Sequence, residues 1–385
     1  MFGAYGIGLF LLGPCLTAIE ATYGITDKTA GLLFAAFSIG FLLCVLPMGY
    51  FYERVSKKWL LAGGFATMTC GTGLFAIAPE FGPRPMLALA FASLMVMAAG
   101  GSSLESAGNA LMADLNPERS AFALNYAHAL LAVGAVFGPW MAGQLMQAGV
   151  SWQIPYLIAV ACCFVVLVVF MFQPEPQIAR HGEMTLSALR SVAAKPIVWV
   201  AFVGITLYVA AETGIVGWVP TFMERTLGAS KVGASSAISV FWLAMTAGRM
   251  VCTALSSVMR PQTFVLALCV GGSIAAAGIA ASPSPAACYA TVALSGLFFS
   301  GIFAMVLAHA GKILGGHLGA AFGIIISGIA FGSMVIPAAM GWVAEAVGMR
   351  IALLMPAVAL TAQVILYIPY VVRRNARSAD TVLES

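Results

Sequence analysis

The chain is predicted to be an all-α integral membrane protein, with twelve transmembrane helices in two pseudo-symmetric halves of six. Three observations predict this. Of its 385 residues, 61% are hydrophobic and only 8% charged, and the mean hydropathy is +0.99. A soluble domain carries roughly 25% charged residues, so a soluble protein is excluded at the outset. Apolar runs of about 20 residues, long enough to cross a bilayer, recur from end to end. One long polar stretch, 173–195, divides the chain into nearly equal parts.

The first span is expected at about 3–21. No basic region precedes it, so it reads as a retained span and not as a cleaved targeting segment. The second covers about 29–52, and a tight charged loop, 53–58, leads to the third at 59–78. The Pro/Gly turn PEFGPRP precedes the fourth, about 85–113, which stops at Asn116-Pro117. The fifth is about 120–148 and the sixth 154–172. The polar stretch begins QPEPQIARHGEM and continues as the short amphipathic LSALRSVAAK, a linker by composition. Spans seven to twelve follow at about 196–223, 232–258, 262–281, 286–311, 318–345 and 349–371. The domains are therefore 1–172, a linker 173–195, 196–372 and a polar tail 373–385 expected to be disordered.

Charge placement supports the count. With the N-terminus inside, twelve Lys and Arg fall on the inner side and five on the outer, with Arg249 left inside a span. That bias fits an even number of spans with both termini cytoplasmic. The net charge of +4 is small and confined to short loops, which disfavours nucleic acid as a partner. All eight cysteines lie in apolar runs and read as small buried hydrophobes, with no zinc spacing. Gly100-Gly101 and Gly315-Gly316 lack the Lys-Ser/Thr ending of a phosphate loop. No cofactor and no enzymatic activity are expected.

The richest polar cluster lies between Gly100 and Gly143. At 1.5 Å rise per residue, Glu105 and His128 each sit about 12 Å from the inner end of their spans. Asn109 shares a helix face with Glu105, and Asn125 shares one with His128. Two neighbouring helices thus present four polar groups to each other or to one cavity. A bare carboxylate in hydrocarbon is costly, so Glu105 must be protonated, paired or watered. Glu105, His128 and Glu212 are the candidates for taking up and releasing a proton. A fixed hydrogen-bond network between helices is the structural alternative, and asparagines can simply join helices. Around Glu212, the residues Gly214, Gly217 and Pro220 suggest a discontinuous seventh span. Trp218, Trp242 and Tyr208 are candidates for stacking on a substrate, against packing or interfacial anchoring. Arg249, the lone cation within a span, suits either an anionic substrate or a gate, and the gate is favoured.

The loop after the second span resembles the signature of the major facilitator superfamily, carried by Gly49, Glu53, Arg54 and the basic pair Lys57-Lys58. Glu53 stands where Asp is commoner, and Ser56 where a glycine is usual. The stretch AGRMVCTALSSVMRP sits in the matching place of the second half. Within the superfamily the chain resembles the fucose/glucose permease-like sugar symporters. The residues that carry this are Glu105-Ser106 with Asn109, Ala123-Leu124-Asn125 with His128, Gly138-Pro139, Glu212-Thr213-Gly214 with Trp218, and Phe241-Trp242 with Gly248-Arg249. The only acid of the first span is Glu20, near its outer end, so a mechanism with carboxylates in both the first and fourth spans does not carry over intact.

The resemblance implies a secondary active transporter working by alternating access. The expected activity is proton-coupled symport of a small neutral solute such as a sugar, driven by the proton gradient. Export of drugs or amphipathic compounds and uptake of an organic anion are the alternatives, because neutral hydrogen-bonding side chains are scarce in the spans. Glu53, Arg54, Lys57, Lys58, Arg249 and Asp114 are expected to act in gating. The expected partners are a small-molecule substrate and membrane lipid. The expected setting is a monomer in the inner membrane.

Overall fold

A computed structural model describes residues 1–52, 54–82, 85–115, 117–175, 186–255, 259–314 and 318–383, without the side chains of Asn125 and some other helical residues. Glu53 and the Asn125 side chain, both candidates above, lie outside the described residues. Among the described residues, eleven helices are long and apolar enough to cross a membrane, and a bent pair makes up to twelve.

The bent pair is the first span. It comprises α1 (Phe2–Leu9) and α2 (Leu12–Tyr23), which meet at 42°. The sequence reads as one uninterrupted helix here. The break falls where Pro14 supplies no N–H to continue the ladder back to Phe10. Next come α3 (Asp27–Tyr52) and α4 (Lys57–Ile77). Ser56 caps α4, its hydroxyl accepting from the Trp59 N–H at 3.2 Å. The fourth span is α5 (Met86–Ser103), a π-helical turn (Leu104–Gly108) and α6 (Asn109–Leu115). The half closes with α7 (Ser120–Gln147) and α8 (Gln153–Met171).

The amphipathic part of the linker forms α9 (Leu186–Ala193). The seventh span, α10 (Pro196–Arg225), is one continuous helix despite its glycines and Pro220, so the expected discontinuity is absent. Then follow α11 (Lys231–Leu255), α12 (Pro261–Ala281), α13 (Pro285–Phe299) and α14 (Ile302–Leu314). The tenth span is therefore interrupted at Ser300-Gly301. The chain ends with α15 (Leu318–Val347), α16 (Met349–Ala352) and α17 (Met355–Leu383). The tail expected to be disordered continues α17, consistent with a segment, NARSADTVL, that contains neither glycine nor proline.

Large apolar side chains such as Val133, Phe164, Leu243 and Ile274 are exposed on the outside, as lipid contact requires and water would not favour. The contacts between the halves include α2 with α10 and with α11, α3 with α15, and α7 with α11. Hydrocarbon offers no hydrophobic drive for such contacts, so close backbone approach has to supply them. Gly13 on α2 shows how. A Cβ there would lie 2.3 Å from the Val216 carbonyl oxygen. That carbonyl is the one that Pro220, four residues on, leaves without its helical N–H.

Candidate functional site

A cavity of about 500 Å³ lies between the halves, from mid-span toward the end that holds the linker. Glu105 and His128 reach its wall from the first half, and Tyr208, Glu212, Trp242 and Arg249 from the second. The broken first span contributes as well. Phe10, at the bend, places its ring 4.4 Å from that of Trp242. A straight helix would carry this residue past the wall at a different angle.

Glu105 sits on the π-helical turn, which shifts the residues after it around the helix axis. π-turns inside α-helices often occur at functional sites. Asn109 braces this turn. Its amide nitrogen donates to the Glu105 carbonyl at 2.9 Å and to Oε2 of the carboxylate at 3.5 Å. Asn109 is not on the cavity wall, so it supports Glu105 and does not line the site. His128 lies against Phe2, ring to ring at 6.0 Å. Of the two arrangements expected for Glu105 and His128, facing each other or facing one cavity, the structure shows the second. The two line one cavity separately.

In the second half, Tyr208 precedes Glu212 by one helical turn and directs its hydroxyl to that carboxylate. Arg249 is near enough for its charge to act on Glu212 and, across the cavity, on His128. Its guanidinium bonds the Met245 sulfur at 3.6 Å, with no carboxylate at ion-pair distance among the described residues. Trp242 is 7% exposed, and its indole N–H has no partner. Trp218 is placed elsewhere. It is fully buried, donates its N–H to the Pro337 carbonyl at 3.0 Å and joins α10 to α15 behind the wall. The structure therefore makes it a brace between helices and not a residue of the cavity surface.

The start of α4 is tied to the end of α8 and the beginning of the linker. Lys58 donates to the carbonyls of Met171 at 2.7 Å and Gln173 at 2.6 Å, and the Ser56 hydroxyl bonds the Glu175 carboxylate at 2.8 Å. Lys57 is buried, Arg54 is exposed and Asp114 is half-buried on α6.

The opposite end is shut by a network that sequence reasoning missed. Arg225 bonds Glu20 and, at 2.6 Å, Asp27. Lys231 bonds Glu224 and, at 2.7 Å, the Thr17 hydroxyl, which itself donates to Glu224 at 2.9 Å. The Lys28 ammonium lies 3.6 Å over the Trp342 ring. Glu20, Asp27 and Lys28 belong to one half, and Trp342, Glu224, Arg225 and Lys231 to the other. The available signal was the opposite charges on loops at the same end.

This architecture has known counterparts. The family model for the Major Facilitator Superfamily matches residues 1–292. The chain belongs to the Major Facilitator Superfamily. It is a membrane transporter and not an enzyme. A glucose/galactose transporter of Brucella abortus biovar 1 (strain 9-941) is 26% identical over 338 residues, covering 82% of this chain and 79% of that protein. The L-fucose-proton symporter of Escherichia coli (strain K12) is 26% identical over 231 residues, covering 51% of this chain and 52% of that one. A crystal structure of the Escherichia coli fucose:proton symporter superposes with a TM-score of 0.67 at 21% identity, over 95% of each chain. A bacterial homologue of the human lysosomal transporter Spinster, in an inward-facing, unoccupied conformation, superposes with a TM-score of 0.78 at 13% identity, over 95% of this chain and 94% of that one. Both superpositions show the superfamily fold. Its twelve-helix architecture agrees with the spans read from sequence.

Proposed function

We propose that this superfamily member is a proton-coupled symporter of a small neutral solute, with a sugar as the favoured class, working by alternating access in the inner membrane with both termini cytoplasmic. The observation that carries the proposal is the cavity between the halves, shut at one end and walled by two carboxylates and by Trp242, whose buried indole N–H has no partner. Glucose/galactose and fucose carriers among the relatives support the same class.

Each group has a role in this proposal. Glu105 holds the coupled proton, because ionising a carboxylate that has only the Asn109 amide beside it is costly inside a membrane-spanning bundle. Glu212, with Tyr208 beside it, accepts hydroxyl hydrogens of the solute. Trp242 donates its free N–H to a solute oxygen, while Phe10 and the indole offer apolar faces to the ring. His128 adds a polar group to the first-half wall. Opening the other end requires the Arg225 and Lys231 contacts to break, and closing the linker end brings the cavity walls together. Both steps are easier once Glu105 is neutral and the solute satisfies the wall. No cofactor takes part, and the monomer suffices because one chain supplies both walls.

One observation favours a second proposal, organic-anion uptake. Arg249 lines the cavity with no carboxylate at ion-pair distance among the described residues, as a site for a carboxylate substrate would. The deciding experiment is substrate-driven proton movement in proteoliposomes, with neutral sugars, organic acids and amphipathic cations in separate runs and Glu105→Gln alongside. Sugar-driven lumen acidification lost in Glu105→Gln supports symport through Glu105. A signal from organic acids alone transfers the proposal to anion uptake, and proton flow opposite to organic cations makes the protein an exporter.

A further inference from the structure

A sequence repeat sets the two halves in register. GPCLTAIEATYG (13–24) and GWVPTFMERTLG (217–228) share Gly, Thr, Glu, Thr and Gly at the same places. Gly24 and Gly228 both adopt left-handed backbone, with φ of 63° and 67°. The next helices begin equally far beyond them, α3 at Asp27 and α11 at Lys231. Carried along these helices, the register pairs Ser38 with Trp242. Both line the cavity, one from each half. Two related halves place their equivalent positions around one central site. Ser38 also meets Ser333 of α15, hydroxyl to hydroxyl, at 2.9 Å. The Arg225 and Lys231 contacts join the halves too, but they lie off the cavity wall, whereas Ser38 and Ser333 both lie on it. Each hydroxyl has a second partner in its own helix, the Phe34 carbonyl 2.9 Å from Ser38 and the Ile329 carbonyl 2.8 Å from Ser333. A hydroxyl has one hydrogen and two acceptor sites. With both hydrogens turned to these carbonyls, the serines can part without leaving a buried donor unsatisfied, and both oxygens still accept.

We propose that Ser38 and Ser333 are specificity-determining residues that receive one hydroxyl of the solute between them, a role that rests on the solute being a sugar. The solute O–H donates to a serine oxygen and takes the place of the bond between the serines. Trp242, at the equivalent position of the other half, serves the solute as a donor. The repeat thus supplies an acceptor on one wall and a donor on the other, and a neutral polyhydroxylated molecule answers both. A carboxylate brings acceptors only, and serines turned to their own carbonyls offer it no donor. Because the two serines belong to different halves, binding there also loosens the α3–α15 contact beside the cavity.

The test is counterflow in proteoliposomes holding the full-length protein, with glucose, galactose and fucose and the monodeoxy derivatives of each. The wild type is compared with Ser38→Ala, Ser333→Ala and the double variant. Counterflow needs no proton gradient, so the result is independent of which carboxylate carries the proton. For the sugar that the wild type exchanges best, KM is expected to rise about five- to tenfold in the double variant, the worth of one hydrogen bond. One of its deoxy derivatives should show the same rise in the wild type and little more in the double variant, because hydroxyl and acceptor are then lost as a pair. A change in helix packing alone would raise KM for every derivative alike. Losses that multiply for every deoxy derivative overturn the proposal and leave sugar transport standing. If none of the sugars is exchanged, the sugar reading and this assignment fall together. Should Ser38→Ala not fold, Ser333→Ala, at the half-buried partner, is read in the same way.

Discussion

Arg225, the last residue of α10, reaches across the two halves to Asp27, the first residue of α3, with 2.6 Å between Nη1 and Oδ1. Its second nitrogen engages Glu20, which is 3% exposed. Arg225 itself is 44% exposed, so solvent screens the pair and its worth is on the order of 1 kcal/mol or less. Removing it should still shift the balance between open and shut by up to about fivefold at this end. Arg225→Ala combined with Lys231→Ala is expected to shift it further. Spin-label distances between the loop after α2 and the loop after α10 check this. An unchanged distance distribution in the double variant means that the network does not hold the end shut.

Backbone contact at Gly13 closes the same end. In Gly13→Ala the added Cβ would lie 2.3 Å from the Val216 carbonyl oxygen and 3.0 Å from Gly217 Cα, and no flexible side chain is there to yield. The shut state should be disfavoured. Cys15, two residues away and fully buried, is a native probe in a background with the other seven cysteines replaced. Alkylation of Cys15 by a membrane-impermeant maleimide is expected to rise at least several-fold in Gly13→Ala, because an opened seam exposes it. Equal rates would show that the backbones separate less than the geometry requires.

Glu105→Gln is expected to abolish proton-driven accumulation while leaving substrate exchange across the membrane intact. The amide keeps the shape of a protonated carboxyl and holds no titratable proton. The measurement is counterflow beside accumulation in proteoliposomes. Loss of both activities would make Glu105 a binding residue and not the coupling one.

The two tryptophans of the second half should separate cleanly. Trp242→Phe keeps a ring beside Phe10 and loses only the N–H, so KM should rise by about five- to tenfold, the worth of one hydrogen bond to substrate. Trp218→Phe removes the indole's bond to the Pro337 carbonyl and shrinks a fully buried side chain. It should lower stability by about 1–3 kcal/mol, read as Tm, with KM little changed. A KM effect confined to Trp218→Phe would reverse these assignments.

Much of the architecture was legible because each span must satisfy its own backbone in lipid, so length and hydropathy mark it locally. Both chain halves, the amphipathic α9 and cavity residues Glu105, His128, Glu212, Tyr208, Trp242 and Arg249 could be named this way. The site was less legible. A break at Phe10 and a π-turn at Glu105 rotate side chains by amounts that helical periodicity, which assumes an unbroken 3.6-residue repeat, cannot express. Periodicity therefore left open whether Glu105 and His128 face each other or one cavity, and the tertiary structure puts both on one wall.

Composition and the spacing of polar residues determined, without any tertiary information, that this is a membrane protein of twelve spans with ionisable groups in its interior. Only the tertiary structure decided which groups share the cavity, that Trp218 and Asn109 are braces, and that Glu20, Asp27, Arg225 and Lys231 meet. The physical reason is range. Hydrophobic matching to a bilayer is set within one helix, whereas contacts between residues some 200 positions apart depend on how two whole bundles are set against each other.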